Sequence, residues 1–310
     1  MTTTIADHVA RFAETRKTLG YRFTQNERVL RSFARFAEAS GETFIRSATA
    51  IEWASASKNA STETQVRKLR VVHDFALWLN AEDKRHEVPH RDALGQKSRQ
   101  RPQPYLISVP DIRKLLTAAL SVGPAGTIAP LTWHYLFGLV AATGLRIGEA
   151  LALMLDDITP DGLVVRDTKF AKTRMVALHP TSWEALNLYL EARLRETTPD
   201  RRLFVIATGR SPGRRYADLV FLKLAEQVGL REPGAARGPT PHSLRHSFAV
   251  RSLEMLPAGT MPGRHMLALA TYLGHAKVTS TYWYLESTPV LLRGIAETVE
   301  QAHTNGGRHD

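Results

Sequence analysis

The spacing of apolar residues constrains the fold of this 310-residue chain more than any other feature of its sequence. Over most of the chain these residues recur every three or four positions, as in Ile5, Val9 and Phe12, which places them on one face of a helix. Two short runs, 163–166 and 174–178, are instead rich in aliphatic residues and flank a polar loop, which is typical of a hairpin. The sequence therefore predicts a mainly α-helical protein with a small antiparallel β-hairpin or sheet.

Residues 1–90 contain four segments with helical spacing, and we expect them to form a compact N-terminal helical domain. The fourth segment begins after a possible capping box, Thr62 with Gln65, in which each side chain bonds the other's backbone. Basic residues decorate this last helix: Arg67, Lys68 and Arg70. They form either an ordinary solvated face or a surface for nucleic acid.

Residues 91–107 interrupt the helical spacing and are rich in proline and charge, which is typical of an exposed linker. The stretch from 96 to 110 contains no acidic residue, and its basic residues are Lys97, Arg99 and Arg101. Such a linker either follows a nucleic-acid backbone or serves as an ordinary tether. A second domain then extends over 108–288, with Ser108 as the cap of its first helix, and an amphipathic tail occupies 289–310.

The charge of the chain favours a polyanionic partner such as nucleic acid, and less often an acidic membrane surface. The net charge is +11 and the pI is about 10.1. No apolar run approaches the roughly twenty residues that a membrane span needs, and the N-terminus lacks the features of a signal peptide. The chain has no cysteine, which excludes disulfides, thiolate metal sites and a cysteine nucleophile. We therefore expect a cytoplasmic protein.

One stretch, 239–248, combines groups suited to holding and reacting with a phosphate. Thr240 is a predicted N-cap and Pro241 the first helical residue, so His242 and Arg245 share one helix face near the helix N-terminus. A helix N-terminus favours an anion, and an arginine beside a titratable imidazole suits a bound phosphate.

Candidate charged residues recur in three further places. Arg146 follows a strongly apolar helix, 131–142, which is expected at the buried centre. The loop of the predicted hairpin carries Lys169 and Lys172, which without context would only improve solubility. His275 follows a helix closed by a glycine, and Tyr284 comes nine residues later. The glycine- and arginine-rich residues 207–216 read as a loop suited to contacting a nucleic-acid backbone.

Three stretches in this order resemble the tyrosine recombinase (phage integrase) family. They are Ala-Thr-Gly-Leu-Arg-Ile-Gly-Glu-Ala-Leu at 142–151, Thr-Pro-His-Ser-Leu-Arg-His-Ser-Phe at 240–248, and Leu-Gly-His-Ala-Lys-Val-Thr-Ser-Thr-Tyr-Trp-Tyr at 273–284. The resemblance implies an α+β catalytic domain that contains all three stretches. By its layout, the N-terminal helical domain is similar to the family's core-binding domain.

The resemblance also implies roles for individual residues. Tyr284 matches the nucleophile, which attacks a DNA phosphodiester and leaves a 3′-phosphotyrosine and a free 5′-hydroxyl. Arg146 and Arg245 match the pair that clamps the scissile phosphate, and Lys169 matches the general acid. His242 and His275 match groups that bond the phosphate and aid proton transfer, and Glu149 a supporting acid that orients its neighbours. No metal and no other cofactor is implied.

Some assignments stay open within the resemblance. Tyr282 is also available near Tyr284, although the spacing from His275 favours Tyr284. The hairpin loop lacks the glycines usual beside the lysine, so Lys172 remains the second choice after Lys169. The residues expected to contact DNA are Arg67, Lys68, Arg70, Lys97, Arg99, Arg101, Lys172 and Arg174.

The function implied is site-specific DNA recombination, of the type used by integrases or transposases of mobile elements. The alternatives are a catalytically silent DNA-binding regulator of the same fold, and a type IB topoisomerase-like enzyme that cleaves without strand exchange. The expected partners are double-stranded DNA in the bacterial nucleoid and other protomers. The protomers are expected to form a homotetramer on paired sites, or an assembly with sister recombinases. In either assembly the C-terminal tail is expected to dock onto the adjacent protomer.

Overall fold

The computed structural model divides the chain into two compact units, Met1–Pro102 and Gln103–Asp310. The structure describes residues 4–21, 23–56, 60–96, 103–166, 173–235, 237–255 and 262–274. The division falls within the predicted linker. The predicted domain limits at 90, 107 and 288 stay predictions.

Four helices form the described part of the N-terminal unit: α1 (Ile5–Thr18), α2 (Thr24–Ala39), α3 (Ser47–Ser55) and α4 (Thr62–Glu82). Their apolar faces meet in one core that includes Phe12, Phe33, Trp53 and Phe75, all of them buried. Aromatic rings contact one another across this core, with ring centroids 5.3 Å apart for Phe12 and Phe75. The four-helix prediction from apolar spacing therefore agrees with the structure.

The start of α4 differs from the prediction by one residue. Ser61, not Thr62, is the N-cap, and its hydroxyl accepts a hydrogen bond from the backbone N–H of Thr64. Both residues can cap a helix, so the sequence alone did not distinguish them.

Both described ends of the predicted linker pack onto a unit. Asp92 pairs with Arg70 at 2.6 Å, and Leu94 packs against the N-terminal core. At the other end Ile107 is buried, and its backbone N–H donates to Ser247 Oγ at 2.7 Å. Most of the described linker residues are nevertheless exposed, and the contacts with the units come from single side chains such as Asp92 and Ile107. Lys97, Arg99 and Arg101 lie outside the described residues.

Seven α-helices and a small sheet make up the described part of the C-terminal unit. The helices are α5 (Val109–Ala119), α6 (Ala129–Thr143), α7 (Ile147–Ala152), α8 (Pro180–Arg193), α9 (Arg214–Gln227), α10 (Pro241–Glu254) and α11 (Pro262–Leu273). Helix α6 is apolar on nearly every face, so it is surrounded by protein, and it contacts α5, α7, α8 and α10. The buried centre predicted for 131–142 is therefore confirmed.

Three antiparallel strands follow α7 in the order β1 (Ile158–Thr159), β2 (Gly162–Val165) and β3 (Arg174–Val176). Leu163 pairs with Val176, and both are buried in the main core of the unit. The predicted hairpin corresponds to β2 and β3. Strand β1 was not predicted because two residues are too few to show an alternating pattern.

Within the ranges that the structure describes, none of the helices has both the length and the apolar character that crossing a lipid bilayer would require.

Candidate active site

Helix α10 places Arg245 in the interior of the C-terminal unit. Thr240 has extended backbone angles, Pro241 begins the helix, and the backbone N–H of Thr240 donates to Ser243 Oγ at 3.1 Å. Arg245 is only 1% exposed. Its Nη1 donates to the carbonyl of Gly144 at 2.6 Å and its Nη2 to that of Leu273 at 2.7 Å. Arg245 therefore links the turn after α6 to the end of α11.

Arg146 lies just after that turn, as the N-cap of α7. Gly144 ends α6 with φ of 64°, the left-handed conformation that glycine adopts without a steric penalty. The carboxylate of Glu149 accepts from the Arg146 backbone N–H at 3.1 Å and from its Nη1 at 2.7 Å. The Arg146 side chain remains 37% exposed, so one part of it is held by Glu149 and another part faces solvent.

Arg174, the first residue of β3, is held by two other elements. Its Nη1 and Nη2 donate to the two carboxylate oxygens of Glu149 at 3.2 and 2.7 Å, and its Nε donates to the carbonyl of Tyr272 at 3.0 Å. The side chain is 13% exposed. Arg174 was expected to contact DNA, but its guanidinium is instead bonded within the protein.

The three arginines meet at the C-terminal end of α11. They donate to the carbonyls of three consecutive residues: Arg174 to Tyr272, Arg245 to Leu273, and Arg146 to Gly274 at 3.4 Å. The last carbonyls of a helix have no partner within the helix and carry partial negative charge, so they attract cations. Side chains that lie up to 99 positions apart in sequence are thereby brought to one point.

His242 lies beside these cations at the start of α10. Desolvation by the surrounding protein, followed by the positive charges of Arg245, Arg146 and Arg214, lowers the pKa of His242 to about 4. His242 is exposed to solvent. The lowered pKa favours the neutral form of its ring. Its ring centroid lies 4.3 Å from that of His246.

Arg214 is a further charged residue near His242, and the sequence did not predict this position for it. It is the first residue of α9, its side chain is 75% exposed, and its charge reaches His242. The glycine- and arginine-rich composition of 207–216 was the signal, but that stretch was predicted as loop throughout. The helix begins inside it because Gly213 has the extended backbone of an N-cap.

Glu149 is a charged carboxylate inside this cluster. Burial alone would raise the pKa of Glu149, but the hydrogen bonds and charge of Arg174, with bonds from Arg146, lower it to about 2. Glu149 therefore carries a full negative charge at neutral pH, between two guanidinium groups. The described ranges contain no cluster of three carboxylate or imidazole side chains that would hold a metal ion.

The other predicted site residues stand as follows. Lys169, Lys172, His275, Tyr282, Tyr284 and the tail 289–310 lie outside the described residues. In the N-terminal unit Arg67 is exposed, Lys68 Nζ lies 5.2 Å from the centroid of the Trp53 ring, and Arg70 pairs with Asp92.

Known proteins resemble the chain over 80–96% of its length. A protein of Sinorhizobium fredii (strain NBRC 101917 / NGR234) described as an integrase/recombinase, y4rB, is 34% identical over 96% of this chain and 98% of its own. The tyrosine recombinase XerD of Brucella abortus biovar 1 (strain 9-941) is 30% identical over 80% of this chain and 78% of its own.

Solved structures share the fold at lower identity. The XerH site-specific recombinase bound to palindromic difH substrate has a TM-score of 0.66 and 18% identity, covering 95% of this chain and 85% of its own. The Tn1549 transposon integrase in complex with transposon right end DNA has a TM-score of 0.65 and 17% identity, covering 91% and 94%.

The sequence model of the phage integrase family matches residues 109–289, which include the described arginine cluster. Together with the relatives of at least 30% identity, this match shows that the chain belongs to the phage integrase, or tyrosine recombinase, family of DNA breaking-rejoining enzymes.

Proposed function

We propose that this protein recombines specific DNA sites through a 3′-phosphotyrosine intermediate formed by Tyr284. The Tyr284 oxygen attacks the scissile phosphorus and the bond from phosphorus to the 5′-oxygen breaks. The released strand then ends in a free 5′-hydroxyl. Lys169, with Lys172 as second choice, supplies the proton to that leaving oxygen. Either His242, whose imidazole is neutral at pH 7, or His275 accepts the phenol proton. The covalent intermediate conserves the energy of the broken bond, so rejoining needs no nucleotide cofactor.

The observation that supports this proposal most is the convergence of three arginines at the end of α11, one residue before His275. On the outer side, Arg146, His242 and Arg214 have solvent-exposed surface, which a DNA phosphate can approach. In our proposal Arg146 contacts the non-bridging oxygens, and Arg245 adds positive charge from behind. Loss of one such donor typically slows an enzyme by about 10²–10³.

The neutral state of His242 at pH 7 is compatible with its proposed role as a base. Because the ring is neutral at pH 7, it has a lone pair that can accept the proton of an attacking phenol. The approach of a negatively charged phosphate and phenolate would then stabilise the imidazolium that forms.

We further propose that the substrate is double-stranded DNA of a mobile element, located in the bacterial nucleoid. The similarity to the integrase/recombinase y4rB and the fold shared with a transposon integrase bound to transposon end DNA support this choice. The net charge of +11 suits a duplex partner. Strand exchange requires two cut duplexes, so we propose a homotetramer on paired sites, or an assembly with sister recombinases.

A nicked suicide substrate tests the chemistry. The protein first selects its binding site from a random-sequence duplex library, and that site is then nicked so that the cleaved fragment diffuses away. We expect a covalent protein–DNA adduct in a denaturing gel, with the DNA attached through its 3′-phosphate. Tyr284→Phe should abolish the adduct, and the matched control Tyr282→Phe should retain it.

Two results would contradict the proposal. DNA binding without an adduct in the wild-type protein would indicate a silent regulator of the same fold. An adduct that persists in Tyr284→Phe would assign the nucleophile to another residue.

A further inference from the structure

Arg174 occupies a central position among the charged groups of the C-terminal unit. It lies on β3, yet its three donating nitrogens reach Glu149 of α7 and the carbonyl of Tyr272 in α11. A second bond, from Tyr272 Oη to the carbonyl of Ala177 at 3.2 Å, also joins α11 to the segment after β3. Arg174 is therefore fixed from two sides, and its low exposure leaves little surface for DNA.

Glu149 is shared between Arg174 and Arg146. Each guanidinium has a nitrogen 2.7 Å from a different carboxylate oxygen: Arg146 Nη1 from Oε1 and Arg174 Nη2 from Oε2. With Glu149 ionised, the three side chains together carry a net charge of +1. One carboxylate cannot neutralise two guanidinium groups, so Arg146 keeps part of its positive charge for another anion.

Removing Arg174 would change this balance. Glu149 would then face Arg146 alone, and the two would form a neutral ion pair in which the carboxylate holds the guanidinium. A phosphate arriving at Arg146 would have to compete with a fully charged carboxylate at hydrogen-bond distance. The attraction of this cluster for a phosphate therefore depends on a residue that is itself turned away from solvent.

We infer that Arg174 is a positioning residue that offsets the charge of Glu149, so that Arg146 remains available to the scissile phosphate. Its action is indirect, through Glu149, and it makes no contact with DNA. The inference rests on the proposed function, in which Arg146 contacts that phosphate.

Four variants test this inference by the rate of adduct formation on the nicked suicide substrate. Arg174→Gln removes the charge, and we expect cleavage to slow by about 10–10². Arg174→Lys keeps the charge without the two-pronged bond, so it should retain most of the lost rate. Arg174→Gln with Glu149→Gln removes both charges, so the double variant should cleave faster than Arg174→Gln alone.

The matched control is Arg166→Gln. Arg166 belongs to the same hairpin, but it pairs with Asp157 and its side chain is 61% exposed. Its loss lowers the net charge of the protein equally, and we expect cleavage at the wild-type rate. Circular dichroism at the assay temperature checks that each variant is folded.

A second readout needs no cleavage. Binding of inorganic phosphate at low ionic strength, followed by the NMR signal of the His242 imidazole, should weaken in Arg174→Gln and recover in the double variant. If the wild-type protein forms no adduct, the proposed chemistry fails, while phosphate binding still decides the role of Arg174.

Three results would overturn the inference. A double variant that cleaves as slowly as Arg174→Gln, or more slowly, would mean that Arg174 only stabilises the fold. An Arg174→Lys variant that cleaves as slowly as Arg174→Gln would mean that the geometry of the hydrogen bonds, rather than the charge, determines the rate. A salt dependence of duplex binding that becomes shallower by about one unit in Arg174→Gln, and stays equally shallow when Glu149→Gln is added, would mean that Arg174 itself contacts a DNA phosphate.

Discussion

Charged residues of the site are arranged in two layers. Arg245, Arg174 and Glu149 are mostly buried, and each has hydrogen-bond partners that offset the cost of removing a charge from water. Arg146 and His242 lie in front of them with surface open to solvent. The buried layer fixes the positions and charges of the outer layer, which is the layer proposed to contact phosphate.

The protonation of His242 is predicted to depend on the fold. Its native pKa is about 4, below the ordinary 6.5, so the unfolded chain binds more protons than the native state between these values. The contribution of His242 to stability is therefore fully present above about pH 6.5 and is lost as the pH falls toward 4. NMR of the imidazole at pH 5.5 should show a neutral ring, with His242→Gln identifying the signal. A protonated ring at pH 5.5 would contradict this prediction.

Spacing in the sequence identified Arg146, His242 and Arg245 as candidates, since each lies in a short local motif at a helix start. It could not assign the partners of Arg174, because Glu149 is 25 positions away and Tyr272 is 98 positions away. Only the packing of β3 beside α11 brings these groups together. Arg214 was missed for a similar reason, since its proximity to His242 depends on the tertiary placement of α9, which contacts α5 and α7.

At the scale of elements, the site depends on how α6 and α11 end. Gly144 ends α6 and Gly274 follows α11, both with positive φ, and both provide carbonyls to the arginines. These glycine stops were predictable, as were nearly all helices, because helical spacing and caps are local signals. The short strand β1 and the docked ends of the linker were not, since their structure comes from contacts with distant residues.

Gly144→Ala is predicted to destabilise the C-terminal unit. A Cβ at this position would lie 2.5 Å from Phe248 Cδ1 and 2.8 Å from Leu273 Cδ2, and φ is +64°. We expect the free energy of unfolding to fall by about 1–2 kcal/mol because of the left-handed backbone, and by about a further 1–3 kcal/mol because of overpacking. Differential scanning calorimetry would show this loss as a lower Tm.

Gly126→Ala is the matched control for Gly144→Ala. Gly126 has a similar φ of +75°, but an added Cβ would have no atom within 4 Å. It should therefore show the backbone penalty alone and a smaller drop in Tm. Equal drops for the two variants would mean that the contacts with Phe248 and Leu273 add nothing.

At the scale of the whole molecule, two units with separate cores share a chain of strongly positive charge. Each core is large enough to specify its own helices, which explains why the fold class followed from apolar spacing. The net charge, by contrast, favours a nucleic-acid partner but does not identify the side chains that contact it. Several candidate DNA contacts already pair within the protein, as Arg70 does with Asp92.

Salt dependence separates side chains that contact DNA from those that only add charge. Duplex binding by a protein that neutralises several phosphates weakens by about 10³–10⁵ between roughly 50 and 200 mM salt, because bound counterions are released. We expect such a steep dependence here, and we expect Arg214→Ala to reduce the slope of log Kd against log salt by about one. Arg201→Ala removes the same charge from an exposed arginine that pairs with Asp156, so its slope should equal that of the wild type. Fluorescence anisotropy with a labelled duplex gives all three slopes. Equal reductions in the two variants would mean that net charge alone sets the affinity, and that Arg214 has no specific place at the phosphate.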